Sequence, residues 1–286
     1  MSSGPTAGRS SDDDSWRTHV QKTISADGTV IAYDARGTGP LVVVVGGAFN
    51  DRGTWAGLAA ELADLGFTGV SYDRRGRGDS GNTEPYALER EFEDLAAVIA
   101  AAGGGPVYAH GVSSGAALLL RSVAAGLPVE RVSVFEPPYR VPGAPPAPPD
   151  YMATLQRYVD ADDRDGLVTY FQTRAIGLPE PVVQSFKTQP MWPVLCAMAP
   201  TLVYDGWALG GDDHSFPAEL LASVHVPVLA VTSSGTASWL GGTAEVVAGA
   251  LPDARFVRLD GGFHQVPEPV LAPVLADFYR AVDRHH

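Results

Sequence analysis

The sequence predicts an α/β fold, in which a doubly wound and mostly parallel β-sheet carries a helical cap insertion. Short apolar runs such as Leu41–Val45 are typical of strands that are buried on both faces, as in parallel sheets. Such runs alternate with segments of helical spacing on both sides of a long block, residues 138–216, that contains no strand candidate. The alternation indicates a parallel sheet, and the block indicates an insertion into that sheet.

The elements before the block follow from these patterns in order. Residues 1–15 are mostly serine, glycine and aspartate, and we expect a disordered tail because they offer no apolar surface to bury. Thr18–Ala35 alternates apolar and polar residues around Asp27-Gly28, which predicts a β-hairpin. After Leu41–Val45 the chain alternates between helix Trp55–Leu65, strand Thr68–Tyr72, helix Ala87–Ala102, strand Val107–Ala109, helix Ser114–Ala125 and strand Val132–Phe135.

The block itself opens with a proline-rich stretch, Pro142–Pro149, that can be neither helix nor central strand. Its remainder has helical spacing. The alternation then resumes with strand Val226–Val231, helix Thr243–Ala250, strand Phe256–Leu259 and helix Val270–Val282. We therefore expect a core domain over residues 16–137 and 217–286, with the insertion over 138–216.

Composition limits the classes of partner. The chain has 20 Lys+Arg against 33 Asp+Glu, a net charge of −13, which argues against nucleic acid or an anionic membrane as partner. Its one cysteine, Cys196, excludes an intrachain disulfide. No apolar run approaches the roughly 20 residues of a membrane helix, and the N-terminus lacks a signal core. We expect a cytoplasmic protein that acts on a small molecule, and the sequence leaves a homodimer open.

A nucleophile elbow is predicted between the strand at Val107 and the helix that follows it. Gly111-Val112-Ser113-Ser114-Gly115 has the form G-x-S-x-G in the strand–turn–helix setting that this motif requires. The nucleophile sits on a sharp turn, where side chains two residues before and after it would collide. Ser113 has glycine at both places, whereas Ser114 would have Val112 at one of them. Ser113 is therefore the predicted nucleophile.

With this motif in place, the chain resembles the α/β-hydrolase family from about Val20 to Tyr279. Asp73–Ser80 resembles the family's D-x-R-G-x-G-x-S loop after its fourth strand. Leu259–His264 resembles the terminal loop that carries the catalytic histidine. The resemblance implies that His264 is the general base for Ser113, in the family order of serine, acid and histidine.

A competing motif overlaps the loop after the fourth strand. Gly76–Gly81 matches the dinucleotide fingerprint G-x-G-x-x-G. A dinucleotide site requires a helix to begin at the motif, so that the pyrophosphate meets its N-terminus, but Asn82–Pro85 intervene here. We expect no dinucleotide, no other cofactor and no metal.

The oxyanion hole is the next expectation from the resemblance. Gly46-Gly47-Ala48-Phe49 lies where relatives carry His-Gly-x-x, with Gly46 in place of the histidine. The resemblance implies that the backbone N–H groups of Ala48 and Ser114 are the two donors. The alternative is that this loop is an ordinary strand-to-helix turn.

The triad acid departs from the common family pattern. Many relatives place it in a G-x-x-D loop after the insertion, where this chain reads Gly235 to Ser238. A second place, used by one type of haloalkane dehalogenase, follows the strand after the nucleophile helix, and Glu136 stands there. A glutamate that ends an apolar strand needs a partner, because burial of an isolated carboxylate is costly. Glu136 is therefore the predicted acid, with Asp205 as an outside candidate.

The insertion is expected to cap the C-terminal ends of the strands, where open α/β sheets bind ligands. We predict that an apolar, aromatic-rich substrate pocket includes Phe49, Trp192, Tyr204, Asp205 and Trp207. The leading function is a serine hydrolase that cleaves an ester, lactone or thioester of a medium-sized, fairly hydrophobic molecule through an acyl-enzyme. One alternative is non-hydrolytic cyclase or lyase chemistry on a natural product. Another is a non-catalytic ligand-binding protein on the same fold.

Overall fold

A computed structural model of the chain describes residues 20–103 and 105–281. Their strands form an eight-stranded sheet in the order β1-β2-β4-β3-β5-β6-β7-β8. The strands are β1 (Gln21–Ile24), β2 (Val30–Gly37), β3 (Leu41–Val45), β4 (Thr68–Tyr72), β5 (Val107–Val112), β6 (Arg131–Phe135), β7 (Val228–Ser233) and β8 (Ala254–Leu259). β2 pairs antiparallel with β1 and β4, and the strands from β4 onward across the sheet are parallel. The predicted α/β fold is confirmed.

Helices cover both faces of this sheet. In chain order the helices are α1 (Ala56–Asp64), α2 (Leu88–Ala102), α3 (Ser114–Ala124), α4 (Tyr151–Asp160), α5 (Arg164–Tyr170), α6 (Glu180–Phe186), α7 (Met191–Met198), α8 (Leu202–Ala208), α9 (Ala218–Ala222), α10 (Thr243–Ala250) and α11 (Glu268–Arg280). Alternate residues of a strand point to opposite faces. Accordingly Val42 and Val44 pack with α1 and α11, whereas Val43 and Val45 pack with α2, α3 and α10. This is the doubly wound arrangement.

The segment between β6 and β7, residues 138–216, contributes α4 to α8 and a π-helical turn at Phe171–Ala175. Besides the apolar clusters on the two faces of the sheet, the helices of this segment bury a cluster of their own, which includes Leu155, Leu167 and Leu202. Phe49, in the loop after β3, packs against that cluster. The segment therefore lies over the C-terminal end of the central strands.

β5 is longer than its apolar run suggests. The sequence predicts an end at Ala109, but the strand continues through His110 and Gly111 to Val112, directly before Ser113. His110 is tolerated inside the sheet because its Nδ1 lies 2.7 Å from Ser133 Oγ on the neighbouring strand. None of the helices within the described part of the chain combines the length and apolarity that a membrane crossing requires. The tail predicted over residues 1–15 lies outside the described residues.

Candidate active site

The loops that follow β3, β5 and β8 meet at one cavity of about 750 Å³. Ala48, Ser113 and His264 line this cavity, one from each of those loops. The inserted segment supplies much of the opposite wall, including Phe171, Ile176 and Leu178. The three residues come from distant parts of the chain and are joined because parallel strands end at the same edge of the sheet.

Ser113 stands on a sharp turn between β5 and α3. Its backbone has φ 55° and ψ −127°, a conformation that costs energy for any residue with a side chain. A Cβ at Gly111 would lie 2.6 Å from Ala116 Cα, and a Cβ at Gly115 would lie 2.3 Å from the Val45 carbonyl oxygen. Both positions therefore require glycine. The turn is held from the neighbouring strand, because the Ser113 N–H donates to the Phe135 carbonyl at 2.9 Å.

His264 pairs with Glu136, which follows β6 directly. His264 Nδ1 lies 2.6 Å from Glu136 Oε2. The Glu136 side chain is fully buried, and its Oε1 accepts from Thr232 Oγ1 at 2.7 Å and from the Ser233 N–H at 2.8 Å. Thr236 Oγ1 donates to Oε2 at 3.1 Å and accepts from the His264 N–H at 2.8 Å. Both carboxylate oxygens thus have partners, and the imidazole has a fixed orientation.

The charge on Glu136 is stabilised by these contacts. Burial alone would raise the pKa of this carboxyl, but hydrogen bonds from His264, the Ser233 N–H and Thr232 outweigh it and hold the pKa below its ordinary value. A carboxylate at Nδ1 keeps the proton on that nitrogen and leaves Nε2 free to accept another. The side chain of His264 is 26% exposed and lines the cavity.

Two hydrogen bonds to the backbone of Gly47 fix the conformation of the loop after β3. Asn50 Oδ1 accepts from the Gly47 N–H at 2.9 Å, and Arg77 Nη1 donates to the Gly47 carbonyl. Within residues 20–103 and 105–281, the N–H groups of Ala48 and Ser114 donate to no protein acceptor. A Cβ at Gly46 would lie 2.8 Å from Asn50 Cβ, which explains why a histidine does not occupy that place here.

Asp205, from α8, ties the inserted segment to the core beneath this loop. Its Oδ1 accepts from Arg74 Nη1 at 2.6 Å and from Ser114 Oγ at 2.8 Å, and its Oδ2 accepts from Arg77 Nη2 at 2.8 Å. Arg74 also binds both oxygens of Glu91, at 2.6 and 2.7 Å. Burial would raise the pKa of Asp205, but Arg77 and Arg74 hold it below its ordinary value. Asp205 lines the cavity as part of a buried ionic network.

Comparison with known proteins identifies the family of this fold. Residues 42–272 match the Alpha/beta hydrolase family. The chain belongs to this family. An alpha/beta hydrolase from Sphaerobacter thermophilus DSM 20745 is 46% identical, with a TM-score of 0.82 over 91% of this chain and 100% of that one. An esterase from Exiguobacterium antarcticum shares the fold at 17% identity and a TM-score of 0.69, over 92% of this chain and 100% of that one. The uncharacterized hydrolase YraK of Bacillus subtilis (strain 168) is 34% identical over 99 residues, which are 34% of this chain and 36% of that protein.

Three residues predicted for the pocket of this α/β hydrolase lie elsewhere. Trp192 is buried within the inserted segment, where its Nε1 donates to Asp165 Oδ1 at 2.9 Å. Tyr204 stacks on Tyr86, with ring centroids 3.8 Å apart. Trp207 is 49% exposed on the surface. Of the five predicted pocket residues, only Phe49 and Asp205 are among the described residues that line the cavity. The prediction was wrong for the other three. Their helices direct Trp192 into the core of the inserted segment, Tyr204 onto Tyr86 and Trp207 to the exterior.

Sequence reasoning missed several residues that shape the hydrolase site. Thr232, near the end of β7, and Thr236, in the loop where a G-x-x-D acid is absent, both hold Glu136. The absence of that acid is the signal that could have found Thr236. Arg140, His214 and Trp239 also line the cavity, with no recognisable motif around them. Among the described residues, no three histidine, cysteine, aspartate or glutamate side chains come together in a way that could hold a metal ion.

Proposed function

We propose that this α/β hydrolase is a serine hydrolase that cleaves an ester, lactone or thioester of a medium-sized small molecule through an acyl-enzyme. Ser113 is the nucleophile, His264 the general base and Glu136 the triad acid. The observation that carries this proposal is the 2.6 Å contact between His264 Nδ1 and Glu136 Oε2 beside a cavity that Ser113 also lines. That contact supports a nucleophile–base–acid relay at the C-terminal edge of the sheet.

In the proposed reaction, Ser113 Oγ attacks the substrate carbonyl while His264 Nε2 takes the hydroxyl proton. The N–H groups of Ala48 and Ser114 donate to the oxyanion that develops, and each fixed donor of this kind stabilises the transition state by about 3–4 kcal/mol. The protonated His264 then donates its proton to the leaving group. A water molecule, deprotonated by His264, then attacks the acyl carbon, and His264 returns the proton to Ser113 Oγ as the acid leaves.

The walls of the cavity support a substrate with a substantial apolar part. Its volume of about 750 Å³ lies within the range of small-molecule pockets. Phe49 and Phe171 both line it and meet edge to face, with centroids 5.4 Å apart, and Leu178, Leu209 and Leu240 extend the apolar surface. The inserted segment thus acts as a cap that determines which acyl groups fit.

Labelling and turnover of paired serine variants test the proposal. The wild type should react with a fluorophosphonate probe and hydrolyse short p-nitrophenyl esters. Ser113→Ala should lose labelling and about 10⁴–10⁶ of kcat. Ser114→Ala is the matched control, because it removes only the hydroxyl that donates to Asp205 and should still be labelled.

Persistence of labelling in Ser113→Ala with its loss in Ser114→Ala would contradict the assignment of the nucleophile. Labelling without turnover of any ester would favour the non-hydrolytic alternative. Absence of both would favour a ligand-binding protein.

A further inference from the structure

We propose that Arg140 and His214 form an anion subsite in the active cavity, and that the natural substrate carries a carboxylate which they bind. This deepens the proposed function and rests on it. The two residues come from opposite ends of the inserted segment and are joined by a hydrogen bond from the Arg140 N–H to the His214 carbonyl at 2.8 Å. Both line the cavity that also contains Ser113 and His264.

The guanidinium of Arg140 lacks a countercharge. Its Nε and Nη1 are buried and hydrogen-bond to nothing among the described residues, and no carboxylate there forms a salt bridge with it. The two carboxylates that line the cavity do not pair with Arg140. Asp205 forms salt bridges with two other arginines, and Glu268 packs beside Gly57. Arg140 is half-buried as a residue, and a cation whose buried nitrogens have no partner is unfavourable, so a bound anion would relieve that cost.

His214 adds a neutral donor to the lining of the same cavity. The residue is buried, with a relative exposure of 4%, and its Nε2 has no hydrogen-bond partner among the described residues. Burial, reinforced by the charge of Arg140, lowers the pKa of His214 to about 4, although the exposed Asp212 and Asp213 act in the opposite direction. The imidazole is therefore neutral at pH 7 and can donate one N–H without adding charge.

Aromatic packing fixes both side chains in place. The guanidinium of Arg140 lies over the ring of Trp239, with its Cζ 4.8 Å from the centroid. The ring of His214 meets Tyr151 edge to face, with centroids 4.7 Å apart. Such preorganisation lowers the entropy that a bound group must lose. The protein as a whole is acidic, with a net charge of −13, so a fixed cation inside the cavity is what an anionic substrate would need.

Matched charged and neutral esters test the subsite in the full-length protein. The charged series is the mono-p-nitrophenyl esters of linear dicarboxylic acids from succinate to suberate, and the neutral series is their methyl-capped counterparts. The wild type should prefer the charged ester of one chain length. Arg140→Gln should lower kcat/KM for that ester about 10- to 100-fold through KM, and should lower it by a much smaller factor for the neutral series. Arg140→Lys should restore part of the preference, and His214→Phe should weaken it.

A binding measurement separates this proposal from the proposed chemistry. Calorimetric titration of Ser113→Ala with the monomethyl esters of the same acids should show tighter binding than with the dimethyl esters. The additional Arg140→Gln substitution should remove that difference. If no ester is turned over but this Arg140-dependent binding is found, the subsite stands and the hydrolase function fails.

Turnover of the neutral series without any preference for charge, unchanged by Arg140→Gln, would overturn the subsite and leave the hydrolase function standing. Equal losses on both series in Arg140→Gln, with a lowered Tm, would show that Arg140 acts only as a structural contact of Trp239. That result would also overturn the subsite.

Discussion

Replacement of Glu136 by glutamine tests the triad acid through the direction of a single hydrogen bond. In the wild type, Oε1 accepts from the backbone N–H of Ser233 at 2.8 Å, while Oε2 faces His264 Nδ1 at 2.6 Å. Because a backbone N–H can only donate, the glutamine oxygen should stay on the side of Ser233 and its NH₂ should turn towards His264. The NH₂ then donates to Nδ1, and the imidazole proton moves to Nε2, which can no longer accept the proton of Ser113.

The magnitude follows from that wrong tautomer and from the loss of charge. The analogous change in a serine-protease triad costs about 10⁴ in kcat. We expect a loss of about 10²–10⁴ in kcat here, which is roughly 3–5 kcal/mol at 1.36 kcal/mol per decade. KM should change little, because Glu136 is fully buried behind His264 and is not among the cavity-lining residues that the structure describes.

The assay is steady-state hydrolysis of a neutral p-nitrophenyl ester, with Tm measured alongside. Thr236→Val is the matched control, because it removes the hydroxyl between Glu136 and His264 but keeps the carboxylate, and it should cost about tenfold. If Glu136→Gln keeps kcat within tenfold of the wild type at an unchanged Tm, Glu136 is not the triad acid. A raised KM at unchanged kcat would refute the reasoning equally.

Three further predictions concern stability and specificity. Asp205→Ala should lower the unfolding free energy by about 3–5 kcal/mol, because it leaves the buried Arg77 without its carboxylate and Arg74 with Glu91 alone. Glu93→Ala, which breaks an exposed helix pair with Arg90, should cost about 1 kcal/mol or less, and equal denaturant midpoints for the two variants would contradict this. The pKa values of Glu136 and Asp205 are lowered in the folded protein, so the stability that these carboxylates contribute is complete above their ordinary pKa values of about 4 and is lost as pH falls through the folded-state values. In urea titrations below pH 4, the unfolding free energy of Glu136→Gln should therefore fall less steeply with pH than that of the wild type. Phe49→Ala should change the preference for acyl chain length, because Phe49 lines the cavity. Neither tryptophan variant should change that preference: Trp192→Ala should cost about 3–5 kcal/mol of stability because Trp192 is buried, and Trp207→Ala about 0.5 kcal/mol or less because Trp207 is exposed.

The parts of the site that local sequence could predict are those fixed by backbone geometry. Gly111 and Gly115 stand where a side chain would collide, so the register of Ser113 can be deduced from residue types alone. The apolar runs likewise predict the buried strands, and the fold they predict is confirmed. The cytoplasmic location, the small-molecule substrate and a homodimer remain predictions.

The pocket could not be predicted in the same way, since helical spacing does not distinguish a helix face that meets a cavity from one that meets another helix. Trp192 and Tyr204 have the same pattern in the sequence as residues that would line a pocket. Asp205 takes its orientation from Arg74 and Arg77, which lie more than a hundred residues earlier. Arg140 lies in an irregular proline-rich stretch, where no periodicity reports the direction of a side chain.

The left-handed backbone at the three proposed triad members has a consequence for how such a site persists. Ser113 has φ 55°, Glu136 has φ 42° and His264 has φ 52°, and each such residue costs on the order of 1–3 kcal/mol relative to a relaxed one. Glycine adopts this conformation without penalty. A glycine at Ser113 would therefore relieve strain and remove the nucleophile in one step. Selection for stability alone would favour that loss, whereas selection for the proposed turnover would oppose it.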